Sequence, residues 1–219
     1  MTGSVSRRRG RPRQISRERI VSAARDLPPE ELTMQAVAGV LGVDPKALNY
    51  HVGDREGLRE LVALDVFESE LRRVELPADG DWRVVARSFA GAIRDAYLKV
   101  GVLAASFHLP AATGLTALAP VETLLQALVD AGFDAVQAGR ALTQISETAY
   151  AAGRAAVLAA QNRVHPNVPE IADALEHAAA KDFSILRRVI ESTGADQDGT
   201  DQFEFSLAVV IAGLEQMLA

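Results

Sequence analysis

The amino-acid sequence predicts an all-α protein with a small three-helix domain near the N-terminus and a larger helical domain behind it. Three observations predict this. Apolar residues recur at helical spacing along almost the whole chain, no stretch alternates β-branched and polar residues as a half-buried strand would, and Gly or Pro punctuates the apolar segments. The chain of 219 residues is 48% hydrophobic, enough to bury a core in both domains.

The elements follow in order. Ser16 is placed to cap a first helix whose inner face is Ile20, Ala23, Ala24 and Leu27, and Pro28-Pro29 ends it. Thr33 caps a second, short helix with Val37, Ala38 and Leu41 inward, and Gly42 supplies the left-handed turn that stops it. Asp44 and Pro45 suit the cap and first position of a third helix over 45–51, ending near Val52-Gly53. Asp54 caps a fourth that carries Leu58, Leu61, Val62 and Leu64 and runs to about Val74, before Pro77-Ala78-Asp79-Gly80 breaks the pattern. Further helices are expected over 82–99, 102–108, 117–131, 134–161, 168–192 and 202–218. The last two carry apolar stripes, Ile171, Leu175, Ala179, Leu186 and Ile190 on one, and Phe203, Leu207, Val210, Ile211, Leu214 and Leu218 on the other. Such a pair either covers the core of its own subunit or packs against a twin as a four-helix bundle.

Composition excludes several function classes. With no cysteine, there can be no disulfide, thiolate metal site or cysteine nucleophile, and a reducing cytoplasm is the expected compartment. No apolar run reaches the roughly 18–20 residues of a membrane span, and no hydrophobic segment follows the Arg-rich N-terminus. His51, His108, His165 and His177 have no metal-ligand spacing and no Gly-rich phosphate loop is present, so neither a metal nor another cofactor is expected, and an enzyme is the weaker reading.

The net charge of −6 is unevenly placed. Residues 1–60 hold 11 basic and 8 acidic side chains, whereas the remainder holds 12 and 21; the first 25 residues alone hold 8 and 1. A basic end on an acidic body suits a nucleic-acid reader whose second domain must not adhere to phosphates. Arg7, Arg8, Arg9, Arg11 and Arg13 form a basic arm over 1–15 around a Gly-Arg-Pro core that looks like an AT-hook, with guanidinium groups suited to the minor groove or to phosphates.

The segment from Thr33 to Val52 then has the residue types of a helix-turn-helix, within a domain over 16–60. Ala38 lets two helices cross closely, Gly42 makes the turn, and Leu48 buries the back of the second helix. On the outer face, Ala47 can touch a thymine methyl, Asn49 can pair with adenine, and Lys46 can reach guanine or phosphate. Tyr50 and His51 suit the DNA backbone, although Tyr50 could equally be partly core and His51 a simple helix cap. Thr33 and Gln35 open the preceding helix and can donate to phosphate or a base edge, and Arg55 is a phosphate candidate at the start of the next.

Residues 7–64 resemble the DNA-binding domain of the TetR family of bacterial repressors: the arm, RERIVSAA, LTMQAVAGVLGV and ALNYHVGDREGLRELV fall in that family's order. FEFSLAVVIAGLEQML, Phe203 to Leu218, is similar to the closing helix of the tetracycline-repressor subgroup. The resemblance implies a homodimer made through the last helices, with residues 61–219 as a helical ligand-binding and dimerisation domain, and release from double-stranded operator DNA by a small-molecule effector. Without an effector, the same architecture would be a constitutive DNA-binding or architectural protein.

The resemblance also speaks to the effector. Tetracycline repressors have a drug-binding histidine eleven residues before a tryptophan and an asparagine seven after it, but beside Trp82 those positions are Leu71 and Phe89. A different, more apolar ligand is therefore expected. Candidate pocket residues are Trp82, Phe89, Ile93, Phe107, His108, Phe133, Ser146, Glu147, Tyr150 and Arg154, an apolar set with a few polar handles.

Overall fold

The computed structural model describes residues 15–77, 80–106, 118–162, 167–179, 182–192 and 199–218, and among these every long element is a helix. The chain divides into two compact units, Met1–Val62 and Ala63–Ala219.

The first unit, the head, is built from α1 (Arg17–Ala24), α2 (Met34–Leu41) and α3 (Pro45–Val52) with the start of α4 (Arg55–Leu71). Helices of eight residues do not hold their shape alone in water, so their ends and shared core must do the work. Each start is capped by a side chain: Ser16 accepts from Arg19 N at 3.4 Å, Thr33 from Ala36 N at 3.1 Å and Asp44 from Lys46 N at 2.8 Å. Asp54 Oδ1 does the same for Gly57 N at 2.9 Å. Gly42 stands at φ 67° after α2, a conformation that a side chain would resist. Ile20, Leu32, Val37, Ala38, Leu48 and Leu58 close the core. Helix α1 stops at Ala24, short of Leu27, whose amide bonds back to the Ala24 carbonyl in a turn.

In the body, α5 (Trp82–Val100) packs on α6 (Ala119–Asp130) and α7 (Ala135–Asn162), and α10 (Thr200–Glu215) packs on α7. Alanines at 86, 90, 138, 141 and 149 are buried along these lines and let the helices approach, while Phe89, Ile93, Leu124, Leu128, Ile145 and Leu207 fill the space between them. Three arginines on one face of α5 fasten α10. Arg83 bonds Glu215 and Asp81, Arg87 reaches Glu204 at 3.2 Å, and Arg94 donates to Thr200 Oγ1 at 2.9 Å while lying over the Phe203 ring.

Three expectations are corrected. The segment expected to be a helix over 102–108 is a 3-10 turn over Gly101–Ser106 as far as it is described, entered through Gly101 at φ 57°. Helix α4 ends at Leu71 rather than Val74. The single helix expected over 168–192 is two, α8 (Asn167–Glu176) and α9 (Ser184–Ser192). Phe183 stands at φ 59° just before α9, and the Arg187 guanidinium donates to the carbonyls of Leu175 at 2.7 Å and Ala178 at 3.2 Å. Those acceptors at the end of α8 are thus served by a returning side chain instead of by further helix.

Candidate nucleic-acid interface and effector site

Of the residues the sequence assigns to DNA, those of α2, α3 and α4 lie within the described residues. Leu48 is fully buried, and this orients α3 so that Lys46 and Asn49 are exposed and Ala47 is half-exposed. Tyr50 is 92% exposed, which removes the reading that makes it core. His51 is half-buried and meets the Tyr50 ring edge-on at 5.5 Å. Gln35 is exposed, while the Thr33 oxygen already accepts from the start of α2 and retains its hydroxyl proton for an outside acceptor. Arg55 is exposed at the first position of α4. Arg7, Arg8, Arg9, Arg11 and Arg13 lie outside the described residues.

In the body, the ten predicted pocket residues do not form one group. Trp82, Phe89, Ile93 and Phe133 are buried. Trp82 meets Phe133 edge-on at 5.6 Å and is covered by Arg83 at 4.9 Å. Tyr150 belongs to a second cluster, 5.5 Å from Tyr97 and 6.2 Å from Phe67, with Phe67 and Tyr97 themselves 5.6 Å apart. Arg154, one turn along α7, is exposed and its charge is felt at the Tyr97 hydroxyl. Ser146 is half-exposed on the same helix. Glu147 turns instead to an open groove of about 440 Å³ between α7 and α10, beside Gln144, Thr148, Gln202 and Ser206. Phe107 and His108 lie outside the described residues.

Phe67 and Tyr97 were not singled out by the sequence reading, because a lone aromatic on an apolar helix face has the pattern of ordinary core. Gly153, three residues after Tyr150, leaves room for Tyr97, since a Cβ there would sit 2.6 Å from Tyr97 Cβ. Burial pushes the Tyr150 hydroxyl up to about 12, with the neighbouring Tyr97 adding to the shift, and burial also raises Tyr97 against the opposing pull of Arg154. Both phenols are therefore neutral hydrogen-bond donors at neutral pH, in an aromatic setting with a cation at one side.

Comparison with known proteins decides the kinship. Residues 76–218 match the family described as Tetracyclin repressor-like, C-terminal domain. The chain belongs to the TetR family of transcriptional regulators. It is similar to a possible TetR family transcriptional regulator from Streptomyces coelicolor A3(2), at 26% identity and TM-score 0.69 over 92% of this chain and 100% of that one. It shares its fold with apo ActR from Streptomyces coelicolor (23% identity, TM-score 0.71, 94% and 99% covered), and ActR has also been solved with actinorhodin. TetR from Acinetobacter baumannii AYE shares the fold at 21% identity and TM-score 0.57, with 94% and 100% covered. No curated protein matches the chain. The all-α class expected from the sequence is what this TetR-family chain has. Leu71 and Phe89, at the positions the resemblance links to tetracycline, are both buried apolar side chains.

One feature of the TetR-family body escaped the sequence reading. The stripe of Phe203, Leu207, Ile211 and Leu214 on α10 is buried within the chain's own body. A second stripe, Phe205, Ala208, Val209 and Ala212, stands on the opposite side, with Phe205 66% and Val209 56% exposed. Exposed Ala151, Ala155 and Leu158 lie on α7, the helix that α10 packs against.

Proposed function

We propose that the protein is a homodimeric repressor of the cytoplasm that binds palindromic operator DNA through two heads and leaves it when an apolar small molecule enters the body. The observation that carries the DNA half is the division of α3: Leu48 is sealed in the core, while Lys46, Asn49 and Tyr50 project together into solvent. In this reading Asn49 and Ala47 face base edges, Lys46 faces guanine or phosphate, and Thr33, Gln35, Tyr50, His51, Arg55 and the arm from Arg7 to Arg13 hold the backbone. Two such helices would occupy successive major grooves about 34–36 Å apart.

The second apolar stripe of α10 supports the dimer. A helix apolar on both sides needs cover on both, and among the described residues the body covers only one. A twin bringing its own α7 and α10 would supply the rest as a four-helix bundle. This replaces the segment over 168–192 as the bundle partner, since that segment is two short helices.

For the effector, the reading places a neutral or anionic aromatic molecule against Phe67, Tyr97 and Tyr150, with Arg154 at its polar edge; ActR, which shares the fold, has been solved with actinorhodin. Tetracycline with magnesium is not the expected ligand, because Leu71 and Phe89 offer it no polar atom. Helix α4 begins in the head and carries Phe67, so a ligand that displaces Phe67 acts on an element of both units.

The test is selection of bound sequences from a random DNA pool at two salt concentrations, using the full-length protein. One enriched palindrome supports the reading; weak, salt-sensitive binding without enrichment overturns it. Aromatic acids and polycyclic phenols are then added to the operator complex, and failure of all of them to release DNA favours the constitutive alternative.

A further inference from the structure

Helix α3 is eight residues long, so its last four carbonyls make up half of its backbone acceptors and have no partner within the helix. Two of them are served locally: Asn49 O accepts from Gly53 N and Val52 O from Asp54 N, each at 2.9 Å. The His51 carbonyl is served from 34 residues away, by Arg17 Nε at 3.4 Å. Arg17 opens α1 directly after the Ser16 cap, and its side chain is exposed. Among the described residues no carboxylate lies within ion-pair distance of it.

A guanidinium carries five N–H groups in one rigid plane. Here one is committed to the end of the recognition helix, and four remain on the two η nitrogens of the same plane. The site they offer lies against the last turn of α3, beside His51 and its exposed neighbour Tyr50. A planar fork with two adjacent donors matches a phosphate diester, and the positive charge also complements the partial negative charge at the C-terminus of α3.

We propose that Arg17 is a DNA-phosphate contact and a positioning residue for α3, holding a backbone phosphate with its η nitrogens and the His51 carbonyl with Nε. The proposal rests on the DNA-binding reading above. Its content is that a single group fixes the distance between a phosphate and the recognition helix, so that base readout by Asn49 depends on a side chain that touches no base. Neither the charge alone nor the fold alone does this. Lysine would keep the charge but has one nitrogen, which can hold the phosphate or the carbonyl but cannot bridge them in a fixed plane.

The experiment uses the full-length protein and its selected operator, with wild type, Arg17→Lys and Arg17→Ala compared at several salt concentrations and against operators carrying single base changes. Arg17→Ala is expected to bind about tenfold more weakly and to lower the slope of log K against log salt by about 0.9, the loss of one phosphate. Arg17→Lys is expected to keep the slope and to lose several-fold of its discrimination against changed bases. A purely structural arginine would weaken binding without moving the slope. Amide exchange of α1–α3 in each variant reports whether the head is intact, and Arg17→Lys remains decisive if Arg17→Ala loosens it. Wild-type slope and wild-type discrimination in both variants overturn this inference alone; a wild-type protein that prefers no sequence overturns it together with the function.

Discussion

Gly57 is where two physical rules predict opposite signs, and the structure says which wins. It lies in the first turn of α4, where helix propensity alone favours alanine by about 1 kcal/mol. A Cβ built there, however, overlaps the Val52 carbonyl oxygen and stands 3.2 Å from the carbonyl carbon. The obstacle is backbone, and it is fixed: Val52 ends α3, its oxygen already accepts from Asp54 N at 2.9 Å, and Gly53 beyond it holds φ 75°. Relief requires the end of α3 and the start of α4 to move apart. Overpacking of a fitted contact costs about 1–3 kcal/mol and the upper part of that range applies to a backbone atom, so Gly57→Ala is expected to destabilise the head by about 1–2 kcal/mol net. Native-state amide exchange on the full-length chain reads this locally. The α1–α3 amides should exchange about 5–30 times faster, with the body unchanged. Exchange that stays the same or slows would mean that propensity governs the position, and the account of the α3–α4 junction would be wrong.

Thr33→Ala should cost the head about 1 kcal/mol by removing the acceptor for Ala36 N, whereas Thr33→Ser should cost little, and chemical denaturation monitored on the head separates the two. Phe205→Glu with Val209→Glu should give a folded monomer that sediments at half the mass of wild type and no longer shows two-headed operator binding; an unchanged mass would refute the role of the second α10 stripe. Tyr150 ionises at about 12 in the folded chain against 10.0 when unfolded, so its contribution to stability is complete below pH 10.0 and is lost as pH rises toward 12. Alkaline titration of phenolate absorbance should show a late step that Tyr150→Phe removes. Gly153→Ala should push Tyr97 out of its place against α7 and lower thermal stability by about 1–3 kcal/mol, detectable by calorimetry.

The head was legible because its signals are local. Ser16, Thr33 and Asp44 each cap the helix their position announced, and Gly42 takes the left-handed conformation its place required. The outer face of α3 follows from one buried residue, Leu48, by helix geometry alone. The body was legible only as helices. Its aromatic cluster joins residues 67, 97 and 150, and nothing in a one-dimensional pattern distinguishes Phe67 or Tyr97 from core. The break between α8 and α9 was hidden for the same reason: the apolar spacing from Ile171 to Ile190 continues through it, while the Arg187 contact to the α8 carbonyls joins residues twelve apart. On α10 the spacing was read for one face, and a helix with two apolar faces has no single period to reveal the second.

These findings bear on where stability resides. Three eight-residue helices, held by side-chain caps and a core of a few residues, make a head with little margin, whereas α5, α7 and α10 bury long stripes against one another. Any partner that binds the folded head and not the unfolded one raises its stability in proportion to the logarithm of occupancy, by about 2.7 kcal/mol at a hundredfold excess over Kd. Operator DNA should therefore slow amide exchange in α1–α3 by about a hundredfold under those conditions and leave α5 and α7 nearly unaltered. An aromatic effector bound at Tyr97 and Tyr150 should protect α5 and α7 instead and, by linkage, reverse the protection of the head. Protection that spreads evenly over both units for either ligand would mean that the two sites are not the separate parts of the chain that their residues define.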